Sequence, residues 1–102
     1  MILEWTKNAS IEVENIKNYI REDSEYYANI FGEKIIEIVE NLILFPKMGH
    51  VVPEINKINI REVIYQNYRI LYEVGKEQIL ILSVIHGARD LRKKKNRNWE
   101  IN

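Results

Sequence analysis

A chain of 102 residues, 46% hydrophobic and 29% charged, is long enough for one hydrophobic core and too short for two, so residues 1–102 are read as a single domain. The absence of cysteine excludes a disulfide scaffold and thiolate metal ligands; Met1-Ile2-Leu3-Glu4-Trp5 carries a charge at its fourth position and no long apolar run, which excludes a signal peptide, and no stretch is apolar enough to span a bilayer, so a cytoplasmic protein without membrane contact is expected. Formal net charge is zero, yet residues 89 to 97 hold six of the fifteen basic residues and one of the fifteen acids, which makes this segment +5 and the remainder −5. That polarity suits contact with nucleic acid or an acidic protein segment, and is also common in solvated tails.

Ile2 to Trp5 reads as a short strand, after which Asn8 or Ser10 is expected to cap a helix. Ala9, Val13, Ile16 and Ile20 fall at intervals of 4, 3 and 4 on one helical face, with Glu12, Glu14, Lys17 and Arg21 turned away. Asp23 and Ser24 interrupt the pattern and can cap a second helix, along which Ala28, Phe31, Ile35, Ile38, Leu42 and Phe45 recur until Pro46 ends it. The stripe fits a helical hairpin and also a coiled-coil seam; at about three heptads with no polar register residue, the hairpin is the better reading.

Gly49 and Pro53 punctuate a polar loop in which His50 is expected to be solvated. From Ile58 onward the period changes to two, predicting strands over Ile58–Tyr65, Tyr68–Val74 and Gln78–His86. Gln66-Asn67 and Gly75-Lys76-Glu77 are short enough to make both connections hairpins. Ile79 to Ile85 is apolar at almost every position, so this strand is expected to be central and covered on both faces. The predicted fold is α+β: an N-terminal strand, an antiparallel helical hairpin, then a three-stranded antiparallel meander forming one small sheet with the first strand.

Only His50 and His86 are present, without metal-ligand spacing, so neither a metal nor any other cofactor is expected; the four scattered glycines form no phosphate loop or nucleophile elbow. The informative cluster is cationic: Arg61, Arg69, His86 and Arg89, backed by Arg92, Lys93, Lys94, Lys95 and Arg97. Guanidinium groups stabilise charge on phosphorus during strand cleavage, and His86 is the side chain suited to move a proton, so an RNA-cleaving site is chemically open. Structural roles compete at each position. A two-residue turn at Gln66-Asn67 pairs Tyr65 with Tyr68, Ile64 with Arg69 and Glu62 with Leu71, which sets Glu62 and Arg69 diagonally on one face as a candidate salt bridge and sends Arg61 to the other face beside Tyr72. His86, at a strand end before Gly87, is more often a hydrogen-bonded structural residue than a catalyst. Trp99 can stack on a base or cation, lie in a partner's groove, or dock the tail on the domain, and docking is slightly favoured.

The element order, together with Pro46-x-x-Gly49, Val52-Pro53-Glu54, Ile60-Arg61-Glu62, Asn67-Tyr68-Arg69-Ile70-Leu71-Tyr72 and His86-Gly87-Ala88-Arg89-Asp90-Leu91, resembles the RelE/ParE toxin superfamily. The resemblance spans nearly the whole chain. It implies a growth-inhibiting toxin of a type II toxin–antitoxin system, neutralised by a cognate antitoxin whose C-terminal segment wraps it, with DNA contacted only through that antitoxin. RelE-like members of the superfamily cut messenger RNA on the ribosome; ParE-like members poison DNA gyrase without nuclease chemistry. Under the first reading Arg69, Arg89 and His86 would be catalytic. Under either, Arg61, Arg92, Lys93, Lys94, Lys95, Arg97 and Trp99 are candidates for contacting target or antitoxin. Glu62, poorly placed beside scissile phosphates, and the lack of any tyrosine from Arg92 to Asn98 depart from the RelE-like pattern and favour the gyrase poison. A third alternative is an inactive relative retained for plasmid or locus maintenance.

Overall fold

A computed structural model describes residues 1–100, so the last two positions of the predicted domain lie outside the described residues. The elements run β1 (Ile2–Trp5), α1 (Lys7–Arg21), α2 (Glu25–Leu44), β2 (His50–Val51), β3 (Ile60–Tyr65), β4 (Tyr68–Val74) and β5 (Gln78–His86), followed by two 3-10 turns, Lys94–Asn96 and Asn98–Glu100. The five strands form one mixed sheet in the order β1-β5-β4-β3-β2. β3, β4 and β5 make the expected antiparallel meander, while β1 runs parallel to β5 because the helices carry the chain across between them. The polar loop holds one strand that the sequence pattern does not reveal: β2, two residues long, pairs His50 with Glu62 and Val51 with Arg61. At that length no alternation can register.

α1 begins one turn earlier than Asn8 or Ser10 would place it. Thr6 is the cap: its Oγ1 accepts from Ala9 N at 3.0 Å and donates to the Leu82 carbonyl at 3.0 Å, tying the helix start to β5. Ser24 caps α2 as expected, accepting from Tyr27 N at 3.1 Å. The α2 stripe is Ala28, Phe31, Ile35, Val39 and Leu42; Phe45 lies past the helix end with its ring exposed, and Ile38 is only partly buried. Phe31, Ile35, Val39 and Leu42, with Ala9 of α1, pack on Ile70, Tyr72, Ile79, Ile81 and Val84 to form the core between the helical hairpin and one sheet face. Each aliphatic side chain of this size contributes roughly 1.5–3 kcal/mol on full burial.

β5 is central, as its composition requires, and it is covered on its second face too. There Val52, Ile60, Leu71, Leu82, Ile85 and Leu91 form a smaller cluster, with Ile55 and Trp99 packed against it. The sheet face turned away from the helical hairpin is therefore partly roofed by the 52–55 loop and the C-terminal segment. Among the described residues no helix is long and apolar enough to cross a membrane.

Candidate interaction surface

The Gln66-Asn67 connection is the two-residue hairpin that fixes the register, with Gln66 in the left-handed region at φ 54°. Tyr65 pairs with Tyr68, Ile64 with Arg69, Glu62 with Leu71 and Arg61 with Tyr72. Strand alternation then separates the two arginines. Arg61 lies on the side of the helical core, where its Nη1 donates to the Gly49 carbonyl at 2.9 Å and its Nε to the Ile58 carbonyl at 3.1 Å. Arg69 lies on the second face, 6% exposed.

Arg69 is held from three sides. Its Nε donates to Glu62 Oε1 at 2.5 Å, Nη1 and Nη2 donate to the two oxygens of Glu54 at 2.8 Å each, and Nη1 also donates to the Arg89 carbonyl at 3.3 Å. Four of its five N–H groups are thus engaged within the protein. Glu62, 3% exposed, also meets His50 Nε2 at 2.7 Å, so the exposed imidazole sits at the end of a chain of polar contacts running through Glu62 and Arg69 to Glu54. Hydrogen bonds from Arg69 hold the Glu54 carboxyl below the usual carboxylate range, and its two carboxylate partners raise the already high pKa of Arg69. Val52-Pro53-Glu54 is recognisable in the sequence as a motif, but no local pattern there assigns Glu54 a role. The structure makes it the bidentate partner of Arg69 and the acceptor from Leu91 N at 3.4 Å.

A second carboxylate also departs from expectation. Glu12 is turned inward: it accepts from Ser83 Oγ at 2.7 Å and from Val84 N at 3.1 Å, and lies 3.9 Å from Arg89 Nη1. Burial pushes its pKa up, against the opposing pull of these donors and of the Arg89 charge. Helical periodicity assigns Glu12 to the solvent side because it ignores the neighbouring β5, which carries an extra residue, Leu82, opposite Leu71 and Tyr72 and offers Ser83 Oγ and Val84 N to the helix.

His86 ends β5 with an exposed side chain; its Nδ1 accepts from Ala88 N at 3.1 Å and its ring lies edge-on to Tyr68, centroids 6.1 Å apart. Gly87 N donates to the Asn67 carbonyl at 2.7 Å, which pins the start of the following segment to the β3–β4 turn. Pro53, Glu54, Arg69, Gly87, Arg89 and Arg92 line an open groove of about 490 Å³. Arg69 and Arg89 are therefore brought to one groove, whereas His86 does not line it and Arg61 stands on the other face.

Beyond the groove, Arg92 folds onto Asp90, with Nε 3.0 Å from Oδ1, and this contact lowers the Asp90 pKa to about 2. Lys93, Lys94 and Lys95 are exposed. Arg97 turns back, donating from Nε to the Leu91 carbonyl at 2.5 Å and from Nη2 to the Glu54 carbonyl at 3.5 Å, while Trp99 packs on the second-face cluster. At the opposite end of the strands Leu44, Phe45, Met48 and Met1 form an exposed apolar patch around Pro46 and Val74. Among the described residues no group of three or more His, Cys, Asp or Glu side chains is assembled for a metal ion.

A family model described as ParE toxin of type II toxin-antitoxin system, parDE, matches residues 3–91. Among solved structures, the chain is similar to one described as the chromosomal ParDE TA system from P. aeruginosa, with TM-score 0.70 and 21% identity over 84% of this chain and 95% of that one. At that identity the likeness speaks for the fold. No curated protein matches.

Proposed function

The chain belongs to the ParE family of toxins from type II toxin–antitoxin systems, and from that premise we propose that it arrests growth by poisoning DNA gyrase in the cytoplasm and is neutralised by a cognate antitoxin. The observation that carries this reading over RNA cleavage is the state of Arg69. A guanidinium that stabilises a phosphorane must present free donors to it, and here four of five are spent on Glu54, Glu62 and the Arg89 carbonyl. The two carboxylates offset the charge of Arg69 itself, so it has little positive field left to offer a phosphodiester.

Two further features support a protein target. The chain has an exposed apolar patch at Leu44, Phe45 and Met48, of the kind that marks protein contact. Neither histidine, His50 nor His86, lines the groove that Arg69 and Arg89 share, so no imidazole stands in it for general acid or base work. In this reading Arg89, Arg92, Lys93, Lys94 and Lys95 act by contact, while Arg61, Arg97 and Trp99 hold the surface that presents them.

The test is incubation of the purified toxin with gyrase, ATP and supercoiled plasmid, in parallel with translating ribosomes and messenger RNA. Linearised plasmid carrying covalently attached gyrase, with intact mRNA, is the expected result. Codon-positioned mRNA cuts with undamaged plasmid overturn the proposal.

A further inference from the structure

We propose that the turn at Lys93, Lys94 and Lys95 is a docking site for the phosphate backbone of duplex DNA. The inference deepens the gyrase reading and rests on it for its setting, since a gyrase poison meets its target on DNA. It departs from the expectation that DNA is touched only through the antitoxin. The turn also lies past residue 91, where the family match ends, so its role comes from this chain's own residues.

Three observations carry it. First, the three lysines are exposed and, among the described residues, none stands within ion-pair distance of an acid: Asp90 is taken by Arg92, and Glu100 by Arg97. A protein of zero net charge thus keeps an uncompensated cationic ridge. Second, the ridge is mounted. Leu91 is fully buried beneath it, Asn96 Nδ2 donates to the Asp90 carbonyl at 2.7 Å, Arg97 N donates to the Lys94 carbonyl at 2.9 Å, and Arg97 Nε holds the Leu91 carbonyl. Solvated basic tails are not fastened at both ends in this way. Holding the backbone still lowers the ordering cost of binding a regularly spaced row of phosphates.

Third, the surroundings decide what kind of polyanion fits. Trp99, the aromatic nearest in sequence, packs on the second-face cluster and so is not presented beside the lysines as a base-stacking platform of the kind that recognition of single strands uses. The exposed apolar patch lies at the far end of the strands, so an acidic amphipathic peptide would find charge here without an apolar seat. Lysine ammonium groups on flexible stems act as point charges suited to phosphate oxygens without base readout.

The experiment is fluorescence anisotropy of a labelled random-sequence duplex with the purified full-length toxin, without gyrase, over 50 to 200 mM NaCl. Neutralising three phosphates gives a slope of log K against log salt of about −2.7, equivalent to a loss of about 40-fold over that range. The K93Q/K94Q/K95Q variant, whose changes are all at exposed positions, is expected to keep the wild-type melting temperature and lose both the slope and the low-salt binding. A slope near zero, equal binding by the triple variant, or tighter binding of single-stranded RNA or a poly-glutamate peptide than of the duplex overturns the assignment. Because gyrase is absent, failure here is distinct from failure of the gyrase reading. If wild-type toxin binds duplex DNA with the expected slope but leaves gyrase unpoisoned, the DNA contact stands and the target assignment falls.

Discussion

Glu54 and Arg69 meet through two parallel hydrogen bonds of 2.8 Å, fifteen residues apart in sequence, and so join the loop after β2 to the middle of the sheet. The same arginine reaches Glu62, whose carboxylate is buried. Removing the guanidinium leaves the buried Glu62 carboxylate with the exposed His50 ring as its remaining side-chain partner, and breaking a buried pair in this way costs about 3–5 kcal/mol. Arg69→Met is therefore expected to lower the melting temperature by at least about 10 °C, and adding Glu62→Gln should recover part of the loss by removing the stranded charge. A single Arg69→Met variant that melts within the error of wild type in calorimetry contradicts this account.

Of the shifted carboxylates, Glu54 and Glu12 should act in opposite senses on acid stability. Glu54 has a folded pKa below its unfolded value, so its contribution is present above the unfolded pKa, about 4.3, and is lost as pH falls through the lower folded value. Glu12 has a folded pKa above its unfolded value, so its ionisation costs stability as pH rises through the window between the two. Glu12→Gln keeps an acceptor for Ser83 Oγ and Val84 N and removes the charge. The variant is expected to melt a few degrees higher at pH 7, with the difference vanishing once Glu12 of the wild type is protonated. Thermal melts from pH 3 to 8 read this directly, and a pH-independent difference rules out desolvation as its cause.

Most of the architecture was legible in the sequence because period and punctuation report on local geometry. The change from helical spacing to alternation at Ile58 located the meander, and the two-residue Gln66-Asn67 connection fixed the register that puts Arg61 and Arg69 on opposite faces. What escaped depends on residues distant in sequence. β2 exists because β3 offers it an edge, and Glu12 turns inward because Ser83, 71 residues away, receives it. The partner of Arg69 was half legible: Glu62 follows from hairpin register, whereas Glu54 arrives from a loop whose path no periodicity encodes.

Gly49 illustrates a motif residue with a steric role. A Cβ there would overlap the Glu62 carbonyl oxygen and the Tyr72 hydroxyl, and that hydroxyl accepts from Gly49 N at 2.9 Å while donating to the Pro46 carbonyl at 2.8 Å. Pro46, Gly49 and Tyr72 thus form one buried knot at the end of α2. Tyr72→Phe should cost about 1–3 kcal/mol by leaving the Gly49 amide unpaired, and Gly49→Ala should cost more because β3 backbone must move. Gly32→Ala, inside α2 and with a Cβ that would meet only the flexible Lys17 side chain, is the control, expected to gain up to about 1 kcal/mol from helix propensity. Urea denaturation that ranks Gly49→Ala level with Gly32→Ala defeats the steric explanation.

Trp99 offers a way to separate charge from mounting at the basic turn. It packs on the cluster containing Leu91 and Leu82 and changes no formal charge when replaced. If Lys93, Lys94 and Lys95 bind DNA as a mounted ridge, Trp99→Ala loosens the segment and weakens duplex binding several-fold at 50 mM salt, because ordering the turn must then be met from binding energy. The salt slope should stay near the wild-type value, since it counts the phosphates neutralised and all three lysines remain. A variant with wild-type affinity would mean that the lysines act as a loose tail and that the docking of Trp99 serves stability alone, which its melting temperature, lowered through the exposed second-face cluster, would report independently.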